Sequence, residues 1–346
     1  MINKTNAMIG GLFGLECQET PKEVTPPFIS GRDLFLVNGR SGIWLLVNRL
    51  RPPHVWMPSY LCHTMLSGID RNITDLRLYE VDYELKVRSN EWISEVTSGD
   101  LVIFIDYFGF PHDHQLAKQV KAKDAWVLED ACQALLSDQW GSASDFVLFS
   151  LRKWIGVPDG GILRVPENFP LSNISLNASP PTWWLKALLV VIRRREFDDG
   201  LPTREWFKLF REVENTAPIG PYAMSELSRV IFEHFDYSEA ADRRIRNYQT
   251  LLDELSDYAI CPPIKQGVVP LGFPVRVKNR DGVREQLFQH EIYPPVHWLL
   301  DGVVPLRCVD SHRLSSQIMT LPCDQRYRHE DMERIADIFL QITTKQ

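Results

Sequence analysis

Asp130, Ser150 and Lys153 place a carboxylate, a hydroxyl and an amine at the ends of short apolar runs. Trp126–Leu128 is apolar and followed at once by Glu129-Asp130, which reads as a buried strand delivering a carboxylate at its carboxyl end. Asp145–Phe149 reads as the next strand. It ends in Ser150-Leu151-Arg152-Lys153, and a Pro158-Asp159-Gly160-Gly161 turn leads into a third apolar run, Ile162–Val165. An acid, a hydroxyl and an amine so placed meet the needs of a pyridoxal phosphate site. A lysine must hold the aldehyde, a carboxylate must keep the ring nitrogen protonated, and hydroxyls and backbone amides must bind the phosphate. Lys153 is the candidate Schiff-base lysine: a position after a buried strand and before a Gly-Gly turn sets it apart from a solvated surface lysine. Asp130 has a second reading, as the N-cap of a helix beginning at Ala131.

The elements that must position these groups alternate along the first half of the chain. Asp33–Val37 reads as a strand, and Asn38-Gly39-Arg40-Ser41-Gly42 opens a helix over Ile43–Leu50. A glycine-containing turn at a helix start offers free amides and the positive end of the dipole, which suits a phosphate. Strands follow at Val55–Met57, Leu76–Tyr79 and Leu101–Ile105, with helices from about Cys62 and over His114–Lys121. Strands separated by helices predict an α/β fold: a mostly parallel central sheet with helices on both faces, its binding site beyond the strand carboxyl ends. Leu171–Ala217 is rich in Trp, Arg and Pro and reads as an insertion shaping a pocket or an oligomer face. Met224–Leu255 predicts one or two helices, followed by strands at Val269-Pro270 and Phe273–Val277, a helix Val283–His290 and a final helix Glu330–Leu340. Tyr293-Pro294-Pro295-Val296-His297-Trp298 is a proline-fixed loop whose His297 and Trp298 suit a substrate entrance, or else form a surface turn with a packed Trp.

Composition narrows the function. A 346-residue chain with 44% hydrophobic and 24% charged residues builds a substantial core, and a net charge of -7 argues against nucleic acid as a partner. The six cysteines show no C-x-x-C pair, which points to reduced thiols in a cytoplasmic enzyme. The start, MINKTNAMIGGLFGLE, has no long apolar core of a signal peptide. Trp183–Ile192 is interrupted by Lys186 and too short to span a bilayer; followed by Arg193-Arg194-Arg195 it is a buried or subunit-facing helix, or an interfacial one. His112 and His114 have no third ligand of convincing spacing, so no metal is expected. No Gly-x-Ser-x-Gly elbow supports a serine hydrolase.

The blocks Glu129-Asp130-Ala131-Cys132-Gln133-Ala134 and Phe149-Ser150-Leu151-Arg152-Lys153 resemble the two signature segments of the DegT/DnrJ/StrS sugar aminotransferases. This is a branch of the fold-type-I pyridoxal phosphate enzymes, and the resemblance runs from about Ile9 to Phe339. Arg243–Tyr248 and Leu321–Tyr327 also resemble family segments. The resemblance implies a large cofactor-binding domain over 1–225, with the variable part at 171–217, and a smaller C-terminal α+β domain over 226–346. It places Gln133 near the ring or its phenolic oxygen, and Ser41 and Gly42 at the phosphate with Ser150. A ring-stacking side chain is expected after Pro58-Ser59; Cys62 stands at the position that relatives fill with an aromatic, so Tyr60 or His63 is the favoured face partner.

Two departures stand out. Ser150 and Lys153 are three apart where the commoner family spacing is five, and Gly220–Glu226 lacks the Asn and Arg of the Asn-Tyr-Arg-Met-Ser-Glu block. In relatives that Asn reaches the phosphate of the neighbouring subunit. The implied activity is transfer of an amino group, most often from L-glutamate, to a keto group of a nucleotide-linked deoxysugar, in a homodimer, for a surface polysaccharide such as O-antigen or a glycosylated metabolite. The rivals are a sugar dehydratase, against which Lys153 argues because such relatives typically carry His there, and a degenerate member with a binding or regulatory role.

Overall fold

The computed structural model describes residues 8–17, 25–171, 173–261 and 263–344. In chain order its elements are β1 (Ile9–Gly10), β2 (Asp33–Leu36), α1 (Gly39–Leu50), β3 (His54–Pro58), β4 (Asp75–Tyr79), β5 (Leu101–Ile105) and α2 (His114–Lys121). There follow β6 (Trp126–Asp130), β7 (Phe146–Ser150), β8 (Gly161–Arg164), α3 (Pro181–Asp198), α4 (Glu205–Asn215), α5 (Glu226–Glu233) and α6 (Tyr237–Leu255). The chain closes with β9 (Phe273–Arg276), α7 (Arg280–Gln289), β10 (Ile292–Tyr293), α8 (Val309–Gln317), β11 (Ile318–Leu321) and α9 (His329–Thr343).

A seven-stranded sheet in the order β2-β8-β7-β6-β5-β3-β4 forms the frame. Strands β3 to β7 pair in parallel, and β8 runs antiparallel to both β7 and β2. Every residue of β5, Leu-Val-Ile-Phe-Ile, is buried, as a central parallel strand covered on both faces requires. Because β2 points the same way as β7, the carboxyl ends of six strands open at one edge of the sheet, and the start of β8 joins them there. This is the fold-type-I α/β architecture expected, with one strand reversed. A second core gathers β9, β11, α6, α7 and α9 around Tyr248, Phe273, Leu287, Met319 and Phe339. Ile9 belongs to this second core, since β1 pairs in parallel with β10. The N-terminal segment therefore crosses to the C-terminal core, which a division cut only at 225/226 does not contain.

Two sequence expectations change. The helix expected from Cys62 is a short 3-10 helix, His63–Gly68, where Gly68 lies so close to α1 that a Cβ would sit 2.8 Å from the Arg40 carbonyl oxygen. Val269-Pro270 is not a strand: the Ser137 hydroxyl takes the place of a ladder, accepting from the Val269 amide at 3.0 Å. The segment 171–217 supplies α3 and α4, packed around Trp183, Val190 and Val213. No helix among the described residues is long and apolar enough to cross a membrane. The N-terminal residues 1–7, on which part of the leader reading rests, lie outside the described residues.

Candidate active site

A cavity of about 720 Å³ opens at the carboxyl edge of the sheet and is lined by Asp130, Gln133, Ser150, Lys153, Cys62, His297 and Trp298. Each comes from a predictable place. Asp130 ends β6, so its carboxylate emerges from a buried strand; it is 6% exposed, and Oδ1 accepts from the Cys132 amide at 3.0 Å. No helix follows, so this bond closes a turn and leaves the carboxylate on the cavity wall. Gln133 is 1% exposed; its Oε1 accepts from the Phe108 amide at 2.9 Å, while its Nε2 is buried without an acceptor.

Ser150 ends β7, and Leu151–Lys153 forms one 3-10 turn. In a 3-10 turn residues three apart eclipse, so the shorter Ser-to-Lys spacing still brings both side chains to the same cavity. The next residue, Trp154, holds the turn. It is fully buried, its indole donates to the Cys132 carbonyl at 3.0 Å, its own carbonyl accepts from Gln325 Nε2 at 2.6 Å, and the Arg244 guanidinium lies 4.4 Å from its ring centre.

The phosphate-suited turn is in register two residues earlier than expected. Asn38 caps α1, its Oδ1 accepting from the Ser41 amide at 3.0 Å, so the residues facing the cavity are Asn38, Gly39 and Arg40. Ser41 and Gly42 are behind the wall. The Ser41 hydroxyl accepts from the Gly220 amide at 3.3 Å, and a Cβ on Gly42 would sit 2.6 Å from Leu148. The start of α1 is pressed against β8: a Cβ on Gly161 would come within 2.3 Å of the Asn38 carbonyl carbon.

Tyr60 is also absent from the cavity lining. The chain turns inward after β3, and the ring is fully buried, 5.8 Å from Tyr107 and 5.6 Å from Trp298. His63 is exposed. Of the expected ring partners only Cys62 faces the cavity, its Sγ 3.1 Å from the Thr64 hydroxyl, and Trp298 contributes an aromatic face that Tyr60 buttresses. His297 is held through Nδ1, 2.9 Å from the Thr320 hydroxyl. Burial first, and then the Lys153 cation, push its imidazolium down to about 3, so the ring is neutral at pH 7.

Charged groups that local sequence did not mark complete the wall. Glu214, at the end of α4, pairs with Arg152 and, at 3.7 Å, with Arg40. Burial opposes its ionisation, but the two guanidiniums outweigh that and hold the carboxyl below its ordinary range. Glu214 is 62 residues from Arg152 in sequence, so only the fold reveals the pair. The leftover groups fit pyridoxal phosphate: an unsatisfied amide donor at Gln133 for a phenolic oxygen, a carboxylate for a ring nitrogen, an amine for an aldehyde, and helix-start amides with Ser150 for a phosphate.

No family model matches the chain, and no curated protein matches it. Solved structures do. The aminotransferase TlmJ from Streptoalloteichus hindustanus superposes with a TM-score of 0.66 at 18% identity, over 91% of this chain and 86% of that one. A DegT DnrJ EryC1 StrS aminotransferase from Brucella abortus gives 0.64 at 15% identity, over 90% and 86%. DesI, solved in the presence of its TDP-sugar product, gives 0.64 at 19% identity, over 90% and 80%. The chain has the fold of these aminotransferases.

Proposed function

We propose that the chain is a pyridoxal-phosphate-dependent aminotransferase of the DegT/DnrJ/StrS group, moving an amino group from L-glutamate to a keto group of a nucleotide-linked deoxysugar. The observation that carries this reading is the convergence of Lys153, Asp130 and the unsatisfied Gln133 amide on one cavity beside the start of α1. Bound there, pyridoxal phosphate supplies an electron sink and a temporary carrier for the amino group. Asp130 would keep the proton on the ring nitrogen, and Gln133 Nε2 would donate to the phenolic oxygen. Ser150 and the amides of Gly39 and Arg40 would hold the phosphate, with Arg40 and Arg152 tempering its charge. Lys153 would hold the aldehyde, and its amine would be the acid and base that moves a proton at the reacting carbon. His297 and Trp298 line the entrance for the sugar, with neutral His297 able to hydrogen-bond a sugar hydroxyl.

The same reading assigns a large domain to 1–225 and a small one to 226–346, with β1 crossing between them. It takes the enzyme to be a cytoplasmic homodimer, which the exposed Leu185 and Leu189 on α3 and Phe207 on α4 support, and its product to be an amino sugar for a surface polysaccharide or a glycosylated metabolite. The test is the visible spectrum of purified protein before and after L-glutamate. A yellow band that bleaches with glutamate is expected; a protein that takes up no added pyridoxal phosphate would overturn the proposal.

A further inference from the structure

On the far side of β6 from the cavity, three side chains converge that the proposed reaction does not use. Side chains alternate along a strand, so Glu129 points away from the wall that carries Asp130. It is fully buried, and its Oε2 accepts from the Gly141 amide at 2.8 Å and the Ser144 hydroxyl at 2.7 Å. Its Oε1 has no donor. His112, in the turn after β5, is tied on its Nδ1 side: Nδ1 lies 2.8 Å from Asp106 Oδ1, which also accepts from the His112 amide at 2.9 Å. Its side chain is 4% exposed, and its Nε2 is buried without a partner. His114, the first residue of α2, has Nδ1 2.9 Å from the Ser142 hydroxyl and an Nε2 that is likewise buried and unpartnered. One ligand atom from each of the three lies within 4.8 Å of the others.

The pattern is the same three times: one polar atom is fixed by the protein and the other is left over in a shared space. With Nδ1–H of His112 donating to Asp106, Nε2 presents a lone pair, and Glu129 Oε1 presents another. Lone pairs gathered away from water without a donor are costly, and the cost is offset by a proton or a cation among them. Two imidazole nitrogens and a carboxylate oxygen are a ligand set of Zn²⁺, and a carboxylate holding the far nitrogen of a ligating histidine is the usual outer support of such a site.

We propose that His112, His114 and Glu129 bind a divalent transition-metal cation, with Asp106 orienting His112, and that this cation ties β6 to the turn after β5 and to the start of α2. The sequence expectation of no metal rested on the missing third ligand. Glu129 supplies it, from a strand that the sheet brings alongside. The half-exposed edge of His114 is the path of entry. The site is independent of the catalytic reading and is tested without activity.

The experiment uses tag-free full-length protein stripped with EDTA, desalted and titrated with Zn²⁺, followed by calorimetry, metal analysis after gel filtration, and thermal melts. The expected result is about one Zn²⁺ retained per chain and a rise in Tm on loading. Glu129→Gln and His114→Ala should each abolish retention, and Asp106→Asn should weaken it by about 10- to 100-fold, as loss of an outer support does. Because His114 is at the surface edge, His114→Ala keeps the test open if Glu129→Gln fails to fold. Wild-type protein that retains no Zn²⁺ and melts unchanged overturns the proposal, leaving a proton shared between Asp106 and Glu129. Retention undiminished in His114→Ala overturns it equally, because the metal is then held elsewhere.

Discussion

In the proposed function Lys153 and Asp130 carry the chemistry at the scale of single residues, and each makes a different prediction. Lys153→Ala should abolish the glutamate-dependent spectral change. Asp130→Asn keeps the shape and the turn to Cys132 but gives up the charge opposite the ring nitrogen, so kcat should fall by about 100- to 1000-fold with cofactor still bound; this is the size of loss seen when one charge-stabilising group is removed from an active site. Gln133→Leu removes the unsatisfied donor and should weaken cofactor binding about tenfold, read by fluorescence titration. His297 predicts a pH effect with a definite sign. Its folded value, about 3, lies below the ordinary 6.5, so the unfolded chain binds the extra proton and stability falls as pH drops from 6.5 towards 3. Wild type should lose up to about 1.4 kcal/mol per pH unit in that window relative to His297→Gln, which lacks the slope, in melts between pH 7 and pH 4. An unchanged difference across that range would show that His297 titrates as if solvated.

The start of α1 and its neighbour β8 make the sharpest prediction at the scale of elements. Gly161→Ala drives a Cβ into the backbone of Asn38, whereas Gly39→Ala meets nothing nearer than the Cys132 sulfur at 3.4 Å and the Leu148 side chain at 3.6 Å. The first should unfold or strongly destabilise the protein and lose cofactor affinity, and the second should fold with a near-native Tm. Asn38→Ala, which removes the cap, should cost about 1 kcal/mol. Much at this scale was legible in sequence. β5, β6 and β7 announce themselves as apolar runs, and the groups that end β6 and β7 fall in one cavity. The register of the phosphate turn was not legible, because Ser41 and Gly39 look equally suited until Asn38 is seen to cap the helix. Tyr60 was misplaced because nothing local says that the chain turns inward after Pro58. The fit of Glu129 with two histidines, and of Glu214 with Arg152, depends on how strands and helices far apart in sequence come to lie together.

At the scale of the whole molecule, the N-terminal segment joins the two cores beside the cavity. Arg326 donates to the carbonyls of Leu12 at 2.9 Å and Gly11 at 3.0 Å, is paired with Asp324 at 2.8 Å, and stacks 4.1 Å from the centre of the Phe13 ring. Burial opposes both charges, but each raises the other's stability: Asp324 is held below its ordinary range by Arg326, and Arg326 above its own by Asp324. Asp324→Asn leaves that guanidinium without its counter-charge and should cost roughly 3 kcal/mol by chemical denaturation, the loss expected for one broken buried pair. The central claim, that this architecture gathers a cofactor onto Lys153, is tested most directly by reducing the pyridoxal-phosphate-loaded protein with borohydride and mapping the labelled peptide. The account predicts a single label on Lys153 that disappears in Lys153→Ala. A label on another lysine, or none on protein that is folded and loaded, would contradict it.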